Sequence, residues 1–222
     1  NGWQWHRQVL QEIKRDLTAL SNVSIDLRLL HQQHIQALQE LAKLAALTKL
    51  RVSPLLEQQV QFTRSLYPEL LEITLTDTAG IPQYTYPQGL NIHATVWDNS
   101  QWQQFLNTPK ELTFNCIRHQ IGSATPLLGY VLPIPQEEGP MRGVLFAYLD
   151  IKVLATSYQL HALHTNIQNA QFTLTDEQGL VLNSTRSELK LFTPYDTDQD
   201  TASQTWRHSR TDLRLSPTDS HI

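Results

Sequence analysis

A strand-and-turn pattern of eight residues occurs twice in the chain, as Ile73–Gly80 and as Phe172–Gly179. In each copy apolar residues alternate with threonines, as along a half-buried strand, and an Asp-x-x-Gly turn follows. Each turn leads into a second strand, Ile81–Tyr86 in the first copy and Leu180–Asn183 in the second. The copies lie about one small domain apart, so the repeat predicts one small α/β unit used twice. A chance match of a short, common pattern is the alternative.

The first quarter of the chain predicts a long amphipathic helix. Between Trp3 and Ser53 there is neither Gly nor Pro, and apolar residues recur at a spacing of three and four. Pro54 predicts a break, and Leu55–Leu66 predicts a second helix. The first helix is too long for one small domain. It predicts a spine along two stacked domains with a dimer seam near its start, or a stalk paired with a copy of itself.

Strands predominate after the helices. We predict strands over Leu70–Asp77, Pro82–Tyr86, Glu111–Gln120, Leu127–Ile134 and Gly143–Asp150, a short helix over Trp97–Leu106, and a further helix from Lys152 to about His164. The region 67–154 therefore predicts a five-stranded antiparallel sheet with a helix inserted after the second strand. Only Thr205–Leu215 reads as a strand after the second hairpin. The predicted domains are thus 1–66 (helices), 67–154, and a smaller or partial unit over 155–222.

Composition excludes several functions. The 222 residues carry a net charge of −4 without a basic block, which argues against a nucleic-acid partner. The single cysteine, Cys116, excludes an internal disulfide and a Cys-rich metal site. There is no Gly-x-Ser-x-Gly elbow and no Gly-rich phosphate loop, so we predict no enzymatic activity. No apolar run reaches the ~18 residues of a membrane helix. Trp3 and Trp5 fit either the interfacial zone beside such a helix or ordinary packing.

The order of the elements resembles the extracytoplasmic double Cache sensor domain of bacterial transmembrane receptors, which are histidine kinases, chemoreceptors and diguanylate cyclases. The matching segments are Tyr67-Pro68 with Ile73–Gly80, the helix Trp102–Leu106, Gly122–Ile134, Gly143–Asp150 and the second turn, Asp176–Gly179. With the first helix they cover most of the chain up to about residue 185.

The resemblance implies an α+β fold in which a long N-terminal helix spans two stacked PAS-like (Cache) domains with antiparallel sheets, the second small or partial. The membrane-distal domain would hold a small ligand over its sheet, and the proximal domain would pass a conformational change across the membrane. Both termini would lie at the bacterial inner membrane, with the domain on its periplasmic side and a homodimer in the full receptor. A sensor histidine kinase is the receptor class we favour.

Seven side chains are predicted to line the ligand pocket: Tyr84, Trp97, Trp102, Phe105, Arg118, Tyr130 and Tyr148. Tyr86, Asp98, Asn115 and Asp150 are further candidates. Aromatic walls cover an apolar or cationic group, and an Arg pairs with a carboxylate. Core packing of Trp102 and Phe105, solvation of Arg118 and a helix N-cap at Asp98 are the alternatives. We expect no cofactor.

One subgroup of the family binds amino acids through an Arg-x-Trp-Tyr run on the inserted helix, with a later Tyr and an Asp on the last strand. This chain has Ser100-Gln101-Trp102-Gln103 at that run, Cys116 near the Tyr position and Tyr148 near the Asp position. Only Trp102 matches, so amino-acid binding by that scheme is not expected.

Two histidine pairs share helix faces, His31 with His34 and His161 with His164. Spacing i, i+3 allows two imidazoles to bind one metal ion, but no Glu-x-x-His or His-x-x-Glu pattern supplies further ligands. We therefore expect polar or surface histidines and no metal. A pH response through them is an open alternative.

Two other functions stay open. The domain could dock a periplasmic binding protein and hold no ligand itself, or it could be a helical dimerisation or scaffold module with purely structural sheets. Hydrolase activity ranks last.

Overall fold

The computed structural model describes residues 11, 29–92, 99–139, 141–153, 173–175, 180–184 and 186–195. These residues fall into two compact units: the larger contains His31–Val153, and the smaller contains the described residues from 173 to 195. Several sequence predictions lie outside the described residues: those at Trp3, Trp5, Trp97, Asp98, His161, His164 and 205–215. Most of the first 28 positions and most of the helix predicted after Lys152 also lie outside them.

Helix α1 is described from residue 29 and ends at residue 47. The predicted break between the helices is present directly before Pro54, but the first helix ends several residues earlier than its apolar pattern predicted. Lys49 and Leu50 adopt left-handed φ values of 54° and 57°, and the Leu50 N–H donates to the Ala45 carbonyl at 2.8 Å, which closes the helix end. The Leu50 side chain lies against Gly143 of the sheet, so a tertiary contact accompanies the early turn.

Helix α2 spans Pro54–Leu66. Its N-cap is Ser53, whose hydroxyl accepts from the Leu56 N–H at 3.2 Å, and Pro54 occupies the first turn, where no intrahelical donor is needed. Leu56, Val60 and Thr63 form its buried stripe. The predicted second helix is confirmed.

The larger unit contains a five-stranded antiparallel sheet in the order β2-β1-β5-β4-β3. Its strands are β1 (Leu70–Asp77), β2 (Pro82–Tyr86), β3 (Leu112–Gln120), β4 (Ser123–Ile134) and β5 (Gly143–Asp150), and helix α3 (Asn99–Asn107) lies between β2 and β3 in the chain. The predicted sheet and inserted helix are confirmed. Strand β4 begins earlier than predicted because Ser123 pairs with Gln120, which extends the β3–β4 hairpin beyond β5.

The repeated turn has the expected chemistry in its first copy. The Asp77 Oδ1 accepts from the N–H groups of Ala79 and Ile81, both at 2.9 Å, and Gly80 has a φ of 80°. The smaller unit contains the second hairpin, in which β6 (Thr173–Thr175) pairs antiparallel with β7 (Val181–Ser184). Both predicted hairpins are therefore present.

The strand register gives the five-stranded sheet two distinct faces. The face towards α1 and α2, here the helix face, carries apolar residues that are almost fully buried: Ile73, Leu75, Leu128, Tyr130, Leu132, Leu145, Ala147 and Leu149. The opposite face, here the α3 face, carries Leu127, Val131, Val144, Phe146 and Tyr148, which cluster with Phe105, Ile92 and Met141. A ligand held over the inserted helix would meet the α3 face.

Candidate ligand-binding face

Aromatic side chains from three elements meet on the α3 face. Helix α3 contributes Trp102 and Phe105, and its Trp102 ring stacks on Phe146 of β5 with centroids 6.0 Å apart and planes 26° apart. A Cβ at Gly80 would lie 3.5 Å from the Trp102 ring, so the first Asp-x-x-Gly turn also contacts this helix. The turn and the helix together therefore position Trp102 over β5.

Phe114 of β3 provides a second aromatic contact. Its ring lies directly over Gly129 of β4, where any Cβ would overlap it, and it meets Tyr148 edge to face at 6.3 Å. Gly129 is the Cα partner of both Phe114 and Tyr148. The missing side chain at Gly129 thus gives room for the Phe114 ring beside Tyr148.

Tyr148 holds a hydroxyl that is unusual for a protein core. The side chain is 0% exposed, and its hydroxyl has no hydrogen-bond partner among the described residues. Burial, with smaller contributions from Cys116 and Glu72, raises the pKa of Tyr148 well above its ordinary value, so the group is a neutral donor. A buried hydroxyl left without a partner costs about 1–3 kcal/mol.

Glu72 of β1 places a carboxylate next to this hydroxyl. Glu72 is the Cα partner of Tyr148 and is 0% exposed. Its Oε1 accepts from the Thr74 hydroxyl and its Oε2 from the Ile92 N–H, both at 3.1 Å. Sequence reasoning missed Glu72. The available signal was its place among apolar residues, in alternation with Thr74 and Thr76, whose side chains are also fully buried.

Arg118 and Cys116 lie on the edge strand β3. The Arg118 Nη2 donates to the Leu90 carbonyl at 3.3 Å and so ties β3 to the segment after β2. Burial raises the pKa of the Cys116 thiol to about 12, so this thiol stays protonated at neutral pH. Cys116 is therefore a packing residue beside Tyr148.

The structure brings together only part of the predicted site. Trp102, Phe105 and Tyr148 lie in one cluster on the α3 face, and Arg118 lies on β3 at its margin. Tyr84 and Tyr130 lie instead on the helix face. Tyr84 is the Cα partner of Leu75 and its hydroxyl bonds Gln61 of α2, while Tyr130 bonds two histidines of α1.

The additional candidates divide in the same way. Tyr86 lies on the helix face with the Arg64 guanidinium 5.9 Å from its ring centroid. Asp150 caps the helical turn after β5, since its Oδ1 accepts from the Lys152 N–H at 2.8 Å. Trp97, Asp98 and the side chain of Asn115 lie outside the described residues. In the described parts of the chain, no three His, Cys, Asp or Glu side chains could hold a metal ion together.

Comparison with known proteins gives the fold a context. No family model and no curated protein matches the chain. Among solved structures, the extracellular domain of the candidate histidine kinase vpHK1S-Z8 has a TM-score of 0.59 at 14% identity, over 82% of this chain and 71% of that one. The sensory domain of the Campylobacter jejuni chemoreceptor Tlp3, solved with isoleucine, has a TM-score of 0.56 at 14% identity, over 90% and 82%.

A third structure is the ligand-binding domain of the Pseudomonas aeruginosa amino acid chemoreceptor PctC in complex with GABA. It has a TM-score of 0.54 at 16% identity and covers 78% of this chain and 75% of that one. The chain shares the fold of these sensor and ligand-binding domains. The resemblance drawn from the sequence is thus confirmed at the level of the fold. Within the described residues, no helix has the length and apolar character needed to cross a bilayer.

Proposed function

We propose that the chain is the extracytoplasmic sensor domain of a bacterial membrane receptor, a double Cache module most like those of sensor histidine kinases. In this proposal it binds a small ligand on the α3 face and performs no catalysis. The observation that carries the proposal is the fully buried Tyr148 hydroxyl, which has no partner within the described structure. Since proteins rarely leave such groups unsatisfied, a ligand is the expected partner.

The residues around Tyr148 define the chemistry of that ligand. The Tyr148 hydroxyl donates to an acceptor on the ligand, and the Glu72 carboxylate accepts from a donor beside it. Trp102, Phe105 and Phe114 cover an apolar portion. Isoleucine and GABA, which occupy the Tlp3 and PctC domains, combine donor, acceptor and apolar groups in this way. We therefore favour small molecules with an amine or amide group next to an acceptor.

The two faces of strand β5 provide a route by which ligand binding on the α3 face could affect helices α1 and α2. Tyr148 faces α3, while its neighbours Ala147 and Leu149 face the helix side of the sheet. Because packed cores shift between discrete arrangements, a ligand that moves β5 by an ångström or so repacks α1 and α2. In the full receptor we propose that α1 carries this shift along a homodimer to a second, membrane-proximal unit that includes the β6–β7 hairpin.

A ligand screen tests the proposal. The purified chain is heated with amino acids, amines, carboxylates, purines or sugars, and the melting temperature is recorded. A ligand at 100 times its Kd adds about 2.7 kcal/mol of stability. Tyr148→Phe should abolish the shift given by a hit, whereas Tyr84→Phe, which alters a tyrosine on the helix face, should preserve it. Equal shifts in both variants would place the ligand elsewhere.

A second candidate function is docking of a periplasmic binding protein. The observation that favours it is the packing of the α3 face by its own side chains, since Trp102 stacks on Phe146 and Phe114 lies over Gly129. If this candidate is correct, the ligand screen is flat for well-folded protein. The immobilised chain then retains a binding protein from periplasmic extract.

A further inference from the structure

Four polar side chains meet on the helix-face side of the sheet, opposite the proposed ligand site; three are buried and Glu69 is partly buried. Tyr130 of β4 places its hydroxyl 3.2 Å from the Nδ1 atoms of both His31 and His34, which lie one turn apart on α1. The Nε2 atom of His34 lies 2.5 Å from the Glu69 Oε1. His34 is only 1% exposed and also meets the Tyr67 ring edge on at 4.9 Å.

The protonation states of Tyr130 and Glu69 limit how the hydrogen bonds in this cluster can be arranged. Burial, and to a lesser extent the Glu69 charge, raises the pKa of Tyr130, so its hydroxyl keeps one proton. Burial acts to raise the pKa of Glu69. The hydrogen bond from His34, a backbone hydrogen bond and the charge of His34 act in the other direction and together outweigh burial, so the pKa of Glu69 lies below its ordinary value. Glu69 is therefore an acceptor only, and His34 must carry a proton on Nε2.

When His34 is neutral, these requirements fix the direction of every hydrogen bond in the cluster. Its Nδ1 atom is then bare and accepts the Tyr130 hydroxyl proton. The Tyr130 oxygen can accept in turn, so His31 donates to it from Nδ1. The hydrogen bonds thus run from His31 to Tyr130, on to His34 and finally to Glu69.

A proton added to His34 reverses part of this order. Both ring nitrogens of His34 then donate, one to Glu69 and one to the Tyr130 oxygen. The Tyr130 O–H must turn towards His31, and this requires a bare Nδ1 atom on His31. His31 therefore changes to the tautomer that carries its proton on Nε2.

We propose that His31, His34, Tyr130 and Glu69 form a proton sensor, a second input to the domain that acts independently of the small ligand. Protonation of His34 changes the hydrogen bond that joins α1 to β4 and is transmitted through Tyr130 to His31. The titratable groups that face His34 are His31 on α1, Tyr67 and Glu69 on the segment between α2 and β1, and Tyr130 on β4. Histidine is the side chain whose charge ordinarily changes between pH 5 and 8.

The sensor is tested by nitrogen-15 NMR of the imidazole rings in the whole chain between pH 8 and pH 5. The chain has nine histidines, and His31→Gln and His34→Gln identify the two sets of signals. At pH 8 we expect the Nδ1–H tautomer for His31 and the Nε2–H tautomer for His34. As the pH falls, His34 should gain a proton while His31 changes tautomer at the same midpoint.

Tyr130→Phe is the decisive variant, since it removes the shared hydroxyl and keeps the ring. In this variant His31 should keep one tautomer while His34 titrates. The proposal is overturned if, in the wild-type chain, His34 stays neutral down to pH 5 or His31 keeps its tautomer throughout. The wild-type spectra decide the question even if the variant fails to fold.

Discussion

Two buried tyrosines on opposite faces of the sheet should respond to the same substitution with opposite signs. Tyr148→Phe removes a hydroxyl that lacks a partner in the described structure, and with it a desolvation penalty of about 1–3 kcal/mol. Tyr130→Phe removes a hydroxyl bonded to two buried histidines and leaves their nitrogen atoms unsatisfied. We expect the free protein to gain about 1–3 kcal/mol from the first change and to lose a similar amount with the second.

Urea denaturation and thermal melting of the two variants and the wild type measure this difference. For a chain of this size, 1 kcal/mol corresponds to about 2–4 °C in melting temperature. The two variants should therefore melt on either side of the wild type. Because each exchange removes a single oxygen atom from a fully buried ring, changes in side-chain volume cancel between them.

Ligand binding supplies the second half of the prediction. Tyr148→Phe should be more stable than the wild type when free and should gain less stability from a ligand, since the hydroxyl is the proposed contact. A destabilised Tyr148→Phe variant, comparable to Tyr130→Phe, would refute the reasoning. It would show that the Tyr148 hydroxyl already contributes a favourable interaction within the free protein.

Three further outcomes follow from single contacts. Gly129→Ala should cost about 1–3 kcal/mol in urea denaturation, because the added methyl group overlaps the Phe114 ring. The pKa of Glu69 is lower in the folded protein than in the unfolded chain. The ionised Glu69 therefore contributes its full share of folding stability above about pH 4.3, and this share is lost as the pH falls through the lowered pKa. Glu69→Gln should therefore be less stable at pH 7 and lose less stability in acid than the wild type. Cys116, with a pKa of about 12, should react with iodoacetamide at pH 8 about a thousand-fold more slowly in the folded chain than after unfolding; an equal rate would show an accessible thiolate.

Local signals predicted most of the sheet and failed where tertiary contacts decide. Strands β1, β2 and β5 have the predicted bounds because alternation and turn residues such as Asp77 and Gly80 act within a few residues of the chain. The end of α1 has no such local signal. Lys49 and Leu50 take left-handed conformations that usually favour glycine, and the contact of Leu50 with Gly143 joins positions far apart in the sequence.

The candidate site was predicted in part for a related reason. Alternation divides the residues of one strand between two faces, but only the register between strands shows which residues of different strands share a face. Tyr130 pairs with Ala147 and so lies opposite to Tyr148, although both tyrosines stand in apolar strands that look alike. The same register places Glu72 beside Tyr148. One sheet therefore presents Tyr148 to α3 and the histidine-bonded Tyr130 to α1, so the proposed ligand and the proposed proton input would act on the same strands.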